Sequence, residues 1–195
     1  MKIKLIAAFL FILISLQVKA QPITSSIGIG TGILNLRGNA LGVTVLFDQK
    51  LSDNLFFTFV PGIYSWINSK DMNGNPFEEP PINHTKVYAK YLIPVRFGLR
   101  YNFGSSPSHP FGIAELGFNL IGKEEQVPIL SYLGTTLSNI SYRTNKGSYI
   151  YVSMGFAAGY TFRLRDGLNL DVAVVSHYGD NRQYVNLMSA VKFDL

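Results

Sequence analysis

The last stretch of the chain, residues 184–195, alternates in side-chain character almost to its end. One parity is apolar except for Ser189 and comprises Val185, Leu187, Val191, Phe193 and Leu195. The other parity is mostly polar or small and comprises Tyr184, Asn186, Met188, Ala190, Lys192 and Asp194. Successive side chains of a β-strand point to opposite faces, so this alternation predicts a strand with one apolar face.

The same alternation predicts seven further strands. They span residues 25–36, 41–51, 54–67, 86–103, 110–122, 149–163 and 168–178. The longest has an apolar row from Val87 and Ala89 to Phe103, and its other row carries Lys86, Lys90, Arg96 and Arg100. Strands of soluble proteins usually have about five or six residues. A tilted membrane strand needs about nine to eleven residues within the bilayer, so the length favours a membrane protein.

Two of the predicted strands contain irregular features. In the third strand the parity is ambiguous because Phe56 and Phe57 lie on opposite faces, and Pro61 suggests a bulge or an irregular position. The inward row of the first strand is Gly28, Gly30 and Gly32. We expect these glycines to make room for bulky inward neighbours such as Tyr149 and Tyr151. Their spacing does not match a nucleotide-binding fingerprint.

The predicted connections differ in length between the two ends of the strands. Short turns fall at 52–54, 104–109 and 164–167. The other end carries segments 37–40, 68–85, 123–148 and 179–183. Bacterial outer-membrane barrels have an even number of strands, short periplasmic turns and longer external loops. The chain is therefore predicted to be an eight-stranded antiparallel transmembrane β-barrel in the cell outer membrane. A soluble lipocalin-like barrel or sandwich, with its faces inverted, is the alternative.

The N-terminus has the pattern of a signal peptide. Lys2 and Lys4 precede an apolar run over residues 5–16, which is too short to span a bilayer comfortably. Val18-Lys19-Ala20 supplies small residues around a cleavage site before Gln21. We therefore predict a signal peptide at 1–20 and one barrel domain at 21–195, with a retained membrane anchor as the alternative.

Composition excludes several other classes of protein. Only 15% of the residues are charged, against about a quarter in a typical soluble domain. No apolar run after the signal approaches the ~20 residues of a membrane helix. The chain has 17 basic and 12 acidic residues, and removal of the three signal lysines leaves 14 basic against 12 acidic. With no basic cluster, nucleic-acid binding has no support. With no cysteine and no paired histidine ligands, no metal or cofactor site is predicted.

One region resembles a known family. The segment Tyr91-Leu-Ile-Pro-Val-Arg-Phe-Gly-Leu-Arg-Tyr-Asn-Phe-Gly104 runs from an Ile-Pro pair into a basic, aromatic end. The next strand contains Pro110-Phe-Gly-Ile-Ala-Glu-Leu-Gly-Phe118. Together they resemble the central strand and the following hairpin arm of the PorT-like small outer-membrane β-barrel family. The acidic residue that often precedes the Ile-Pro pair in that family is missing here. The resemblance implies an outer-membrane β-barrel domain.

The inward rows carry charges of both signs. The basic residues are Lys90, Arg96, Arg100 and Lys192. The acidic residues are Glu115, Asp171 and Asp194. An eight-stranded barrel is just wide enough to be filled by side chains, so we expect ion pairs across the lumen, with a proton or solute path as the alternative. Ser176 precedes His177, but parity places them on opposite faces, which disfavours a nucleophile–base pair. No catalytic residue is predicted.

Any specific role is expected at the loops, because binding residues concentrate on loops held by a rigid scaffold. Loops 68–85 and 123–148 should share the external rim, where a protein partner could dock, and lipid of the outer membrane should surround the wall. Strand-end aromatics are expected to form a girdle at that rim: Tyr64, Trp66, Tyr149 and Tyr151. The predicted function is non-enzymatic, in surface recognition or adhesion or in support of a secretion or assembly apparatus. The alternatives are a narrow solute pore or transporter and a lipid-modifying outer-membrane enzyme.

We predict that the mature protein begins at or near Gln21 and fractionates with the outer membrane. Cleavage follows from the short apolar run and the small residues that close it. N-terminal sequencing of the protein from membrane fractions checks this. Recovery of intact Met1, or of the protein in the soluble periplasm, would contradict the prediction.

Overall fold

The structure is a computed structural model that describes residues 25–35, 38–69, 84–133, 136–179 and 182–195. The predicted signal peptide and residues 70–83 of the first predicted long loop lie outside the described residues. The strands are β1 (Ser25–Asn35), β2 (Gly38–Lys50), β3 (Leu55–Ser69), β4 (Lys86–Asn102), β5 (His109–Leu133), β6 (Thr136–Arg165), β7 (Leu168–Gly179) and β8 (Arg182–Asp194).

The eight strands form a closed antiparallel barrel in sequence order. Each strand pairs with the next, and β1 closes the ring by pairing with β8 from Ser26–Asp194 to Asn35–Val185. At one end, here called the short-turn end, residues 51–54, 103–108 and 166–167 connect the strands. Gly104 and Gly167 adopt φ values of 97° and 73° in these turns, a conformation that favours glycine. The opposite end is called the hairpin end. The predicted fold class and strand number are confirmed.

The outer face of the barrel is an apolar belt, as the parity of most strands predicts. Among its most exposed side chains are Ile29, Leu116, Ile150, Val152 and Phe156, each between 61% and 68% exposed. The inner parity is buried: in β8 it comprises Tyr184, Asn186, Met188, Ala190 and Lys192. A soluble barrel would bury the apolar row instead. The described residues expose so much apolar surface that the barrel requires a lipid environment. None of the described segments forms a helix long and apolar enough to cross a membrane.

A bulge in β4 overturns part of the predicted parity. The register with β5 shifts between Ala89 and Tyr91, so Lys90 is an extra residue and the parity changes there. Val87 and Ala89 are consequently buried inside the barrel, whereas they were predicted to face lipid. Lys90 was predicted to face the lumen, but its side chain is about half exposed and its Nζ lies 3.2 Å from Glu124 Oε2.

Of the two features suggested for Pro61, the structure shows an irregular position and not a bulge. The β2–β3 register is the same on both sides of the proline, at Thr44–Gly62 and at Phe47–Phe59, although the pairs between them are missing. A proline has no N–H to donate to the ladder, so pairing is interrupted without a shift. The parity of β3 is thereby settled: Thr58, Val60 and Tyr64 are buried.

The inward glycines of β1 make room for neighbours other than the two predicted tyrosines. A Cβ on Gly28 would lie 2.6 Å from Lys192 Cγ. A Cβ on Gly32 would lie 2.7 Å from Asn186 Oδ1 and 2.9 Å from the hydroxyl of Tyr64. The glycines are therefore required by a close approach, but Lys192, Asn186 and Tyr64 occupy the space.

The second predicted long loop, 123–148, is mostly a two-stranded extension of the barrel wall. β5 and β6 remain paired from His109–Thr161 as far as Leu133–Thr136. The loop prediction was wrong because polar and apolar residues are mixed on both faces of this segment. Beyond a bilayer neither face needs to be apolar, so the two-residue alternation that identifies a strand is lost.

Aromatic side chains line the short-turn end of the belt, but the predicted girdle at the other rim is wrong. Near the short-turn end Phe59 stacks on Phe97 at 5.0 Å between ring centroids, and Tyr160 contacts Phe162 at 4.8 Å. The four residues predicted for the other girdle face inward. Tyr64 is fully buried, and the interior cluster that contains it packs against Trp66, Tyr149 and Tyr151.

We predict that Val95→Arg destabilises the barrel by about 2–4 kcal/mol, because it places a charge on the lipid-facing side near the middle of the belt. Unfolding in urea, followed by the heat-dependent gel shift of the folded barrel in lipid vesicles, measures the change. Val95→Leu is the control and should unfold like the wild type. Equal stability of Val95→Arg and Val95→Leu would mean that this position does not contact lipid.

Candidate functional site

A cluster of four charges spans the lumen near the short-turn end. Asp48 on β2, Arg100 on β4, Asp171 on β7 and Lys192 on β8 are all buried. Lys192 Nζ lies 2.7 Å from Asp48 Oδ2 and 3.0 Å from Asp171 Oδ2. Arg100 Nη1 lies 3.4 Å from Asp48 Oδ2 and also pairs with Asp171. Two positive and two negative groups balance, as buried charges require. We call this set the four-charge cluster.

Neighbouring groups satisfy the remaining hydrogen bonds of Arg100. Its Nε donates to Asn102 Oδ1 at 2.9 Å, and its Nη2 donates to Thr161 Oγ1 at 2.6 Å. The Thr161 hydroxyl in turn donates to Asp171 Oδ1 at 2.7 Å. The guanidinium lies over the Phe111 ring at 3.8 Å from its centroid. Arg100 is thus held on several sides, which fixes its position as the centre of the cluster.

A second polar layer lies closer to the hairpin end. Arg96 Nε is 3.6 Å from Glu115 Oε1, and His177 Nδ1 is 3.1 Å from the same oxygen. Arg96 Nη2 donates to the Tyr184 hydroxyl at 3.1 Å. His177 stacks on Tyr184 with 4.6 Å between ring centroids. The Tyr184 hydroxyl donates to Asn119 Oδ1 at 3.4 Å and so links this layer to the next residues of the lumen.

Apolar side chains fill the lumen between and above these polar layers. One cluster includes Leu46, Val60, Phe111 and Met188. The other lies toward the hairpin end and includes Leu34, Tyr64, Leu92 and Ile121. Between the four-charge cluster and Arg96 a cavity of about 10 Å³ remains, about the size of one water molecule. At the short-turn end the barrel opens into a polar cup of about 250 Å³.

The predicted lumenal charges are confirmed for Arg96, Arg100, Glu115, Asp171 and Lys192, and their ion pairing is confirmed with them. Besides Lys90, the prediction fails for Asp194. This carboxylate is exposed at the end of β8, where it accepts a hydrogen bond from Asn169 Nδ2 at 3.0 Å.

Sequence reasoning missed Asp48, although the signal was present. Val43, Val45 and Phe47 form the apolar row of the second predicted strand, so the next residue falls on the inner row. Asp48 is the acidic group nearest to Lys192, at 2.7 Å, and it also lies 3.4 Å from Arg100 Nη1. Extending the parity by one residue would have identified it.

Ser176 and His177 lie on opposite sides of the wall, as parity predicts. His177 is fully buried in the lumen beside Glu115. Ser176 Oγ instead accepts a hydrogen bond from Gln183 Nε2 at 3.1 Å in an exposed position. The two side chains cannot act as a nucleophile and its base in this arrangement. The described ranges contain no group of three His, Cys, Asp or Glu side chains placed to hold a metal ion.

The hairpin end carries the most extended feature of the molecule. β4 begins at Lys86, opposite Gln126 of β5, and the pairing between β6 and β7 reaches only as far as Met154. Beyond these points β5 and β6 continue as a paired hairpin that leaves the barrel. We call residues 127–143 the projecting hairpin. About seven residues per strand at about 3.4 Å each extend it by roughly 20 Å beyond the ring.

Comparison with solved structures identifies the architecture. Neisserial surface protein A matches with a TM-score of 0.52 and 14% identity over 91% of this chain and 99% of that chain. A major outer membrane protein from Thermus thermophilus matches with 0.57 and 10% over 88% and 99%. Ail, the attachment invasion locus protein of Yersinia pestis, matches with 0.50 and 13% over 89% and 97%. The chain has the fold of the small outer-membrane β-barrels. No protein-family model and no curated protein sequence matches it.

The fold agrees with the physical properties of the barrel surface. These structures share 14% identity or less with the chain, so they establish its architecture only. The apolar belt supplies an independent argument for location, because lipid is the surrounding that such a surface requires. Together, fold and belt identify an outer-membrane protein in contact with lipid.

We predict that Asp48→Ala destabilises the barrel by about 3–5 kcal/mol, because Lys192 and Arg100 then share Asp171 as their remaining buried counter-charge. Unfolding in urea of the protein in lipid vesicles measures the loss. Asp53→Ala is the control: its carboxylate pairs with Lys50 at 3.1 Å on the exposed surface, so its unfolding midpoint should match the wild type. Identical midpoints for both variants would show that the four-charge cluster does not stabilise the fold.

Proposed function

We propose that this protein is a non-enzymatic outer-membrane protein that recognises a partner at the cell surface through its projecting hairpin. The observation that carries the proposal is the length of β5 and β6, 25 and 30 residues. A membrane strand uses about nine to eleven residues in the bilayer, so much of this hairpin serves no membrane-spanning purpose. A rigid paired extension is a suitable scaffold for recognition.

The external orientation of the hairpin end rests on the asymmetry of the connections. Outer-membrane barrels keep their short turns in the periplasm and their longer segments outside. In this orientation both ends of the barrel domain are periplasmic, as expected for a chain exported by a signal peptide at 1–20. β3 ends at Ser69 and β4 begins at Lys86 at this same end, and the predicted loop 68–85 is a second candidate for partner contact.

The packed lumen argues against the alternative of a narrow solute pore. Side chains that are fully buried, among them Arg100, Phe111, His177 and Tyr64, lie at successive levels of the barrel. A solute path would require the four-charge cluster or the layer around Arg96 to separate, which exposes unpaired buried charges. The opposite placement of Ser176 and His177 likewise argues against a lipid-modifying enzyme.

The resemblance to PorT-like barrels supports the class of outer-membrane barrel. It rests on residues 91–104 and 110–118, which lie in β4, in the start of the turn after it and in the start of β5. Within this class we propose that the recognition serves adhesion to an external surface or support of a secretion or assembly apparatus.

We predict that replacement of residues 127–143 by Thr-Asn-Gly-Thr leaves an intact barrel that no longer captures its partner. Gln126 and Thr144 lie opposite each other in the ladder, but their backbone groups point away from each other. The two flanking Thr residues therefore supply the hydrogen-bonded pair that a two-residue Asn-Gly turn closes. Pull-down in mild detergent, from cells carrying the wild type or the shortened protein, measures the loss. The heat-dependent gel shift reports that the shortened barrel is folded.

Conductance in planar bilayers provides the control against the pore. Neither the wild type nor the shortened protein should conduct through the packed lumen. Steady single-channel conductance by the wild type would contradict the proposal, and so would partner capture that survives removal of the hairpin.

A further inference from the structure

We propose, building on the proposed function, that the free edge of β6 binds an extended polypeptide segment of the partner as an additional antiparallel strand. The edge follows from the register. β6 pairs with β7 from Met154 toward the short-turn end. Within the described ranges no strand pairs with that side of β6 from residue 136 to residue 152. Residues 139–148 are all exposed.

The direction of the backbone groups can be derived from one hydrogen bond. The Phe103 N–H, just after β4, donates to the Pro110 carbonyl at 2.8 Å, so Pro110 of β5 directs its backbone groups toward β4. Alternate residues of an antiparallel strand direct them to opposite neighbours. Even residues of β5 therefore point toward β4, and odd residues point toward β6.

The same alternation determines which groups of β6 are available. Odd residues of β5 pair with odd residues of β6, as in Val127–Arg143. The odd residues of β6 therefore direct their backbone groups toward β5. The Arg163 N–H agrees with this direction, because it donates to Ser108 Oγ on the β5 side at 3.0 Å. The even residues direct their N–H and C=O groups to the free side: Ile140, Tyr142, Thr144, Lys146 and Ser148.

The two free edges of the projecting hairpin differ in one important respect. On β5 the edge contains Pro128, an even residue on the side away from β6, and proline offers no N–H to an incoming strand. Proline on an edge strand is a known means of preventing strand addition. On β6 no proline occurs from residue 136 to 152. The β5 edge is protected and the β6 edge is left open.

The occupant is identified by the chemistry of this edge. The N–H and C=O groups on this side of β6 alternate along an extended backbone, and a second extended backbone can form hydrogen bonds with them. The side chains of the same residues add selectivity. Ile140 and Tyr142 are 36% and 47% exposed and lie opposite Leu130 and Pro128, which makes an apolar patch.

Charge and direction define the segment further. Lys146 lies opposite Glu124, whose carboxylate is already paired with Lys90, so an acidic side chain of the partner fits beside Lys146.

Two copies of the protein in one membrane would have their β6 strands running in the same direction. An antiparallel addition therefore favours a segment that is not fixed in the same bilayer.

A defined peptide tests the edge. The probe is acetyl-Glu-Ser-Thr-Ser-Val-Ser-Val-Lys-amide with a dye on its Lys side chain, which places Glu beside Lys146 and the two Val residues beside Tyr142 and Ile140. Its binding to the full mature protein in lipid nanodiscs is measured by fluorescence anisotropy. Thr144→Pro removes an N–H on the free side and should weaken binding by about tenfold or more. Thr144→Ala keeps that N–H and should bind like the wild type.

The peptide itself supplies a second control. N-methylation of its Thr and of its first Val removes two of the four N–H groups that face β6 and places methyl groups between the strands, which should abolish binding. Failure of the unmodified peptide to bind the wild type, or equal binding of both peptides, would overturn the proposal. Because the chain has no cysteine, Thr144→Cys adds a further test: a disulfide-linked dimer in the membrane would show that a second copy occupies the edge instead. If the pull-down depends on residues 127–143 but is unaffected by Thr144→Pro, the strand-addition proposal fails while the proposed function stands.

Discussion

The requirement that backbone polar groups be paired inside a bilayer determines most of this structure. Lipid offers no hydrogen bonds, so a sheet that crosses it must close, and β1 accordingly pairs with β8 over ten residue pairs. Two prolines interrupt this pairing locally. Pro61 and Pro94 lie on neighbouring strands, and the β3–β4 ladder is interrupted between Pro61–Val95 and Tyr64–Leu92 without any change of register. The residue pairs before and after the gap, together with the continuous β4–β5 ladder from Tyr91 to Asn102, keep the ring closed.

Closure with eight strands then determines the lumen. The space inside is about the width of the side chains that line it, so each inward position must match its neighbours in size and in charge. Glycines of β1 accommodate Lys192 and Tyr64, and the four-charge cluster brings two acids and two bases from four strands into mutual contact. Such a cluster adds little to the free energy of unfolding compared with apolar packing. Removing one of its members is nevertheless strongly destabilising, because a buried charge is then left without its partner. The value of the cluster is therefore in specifying how four separate strands meet.

Parity along the sequence predicted the strands and the lumenal residues wherever a single alternation continues unbroken. Arg96, Arg100, Glu115 and His177 were placed correctly because lipid on one side and a packed lumen on the other impose a period of two. The failures occur where that period changes or loses its meaning. The bulge at Lys90 reverses the faces of Val87 and Ala89, and nothing in the local sequence marks it. The partners inside the lumen also could not be predicted, because they depend on the stagger between strands that are distant in sequence, such as Asp48 with Lys192.

The projecting hairpin shows what happens when the same strands leave the bilayer. In water an unpaired strand edge is tolerated, because solvent satisfies the backbone groups that lipid would leave unpaired. β6 can therefore continue from Val152 to Thr136 without a neighbour on the β7 side in the part of the chain that the structure describes. The constraint that closes the ring in the membrane does not act on this extension, so its length, its open edge and its exposed Ile140 and Tyr142 are not explained by barrel formation. In the proposed function these features meet a partner outside the membrane, and an edge that is solvated by water is one that a second backbone can pair with at little cost in desolvation.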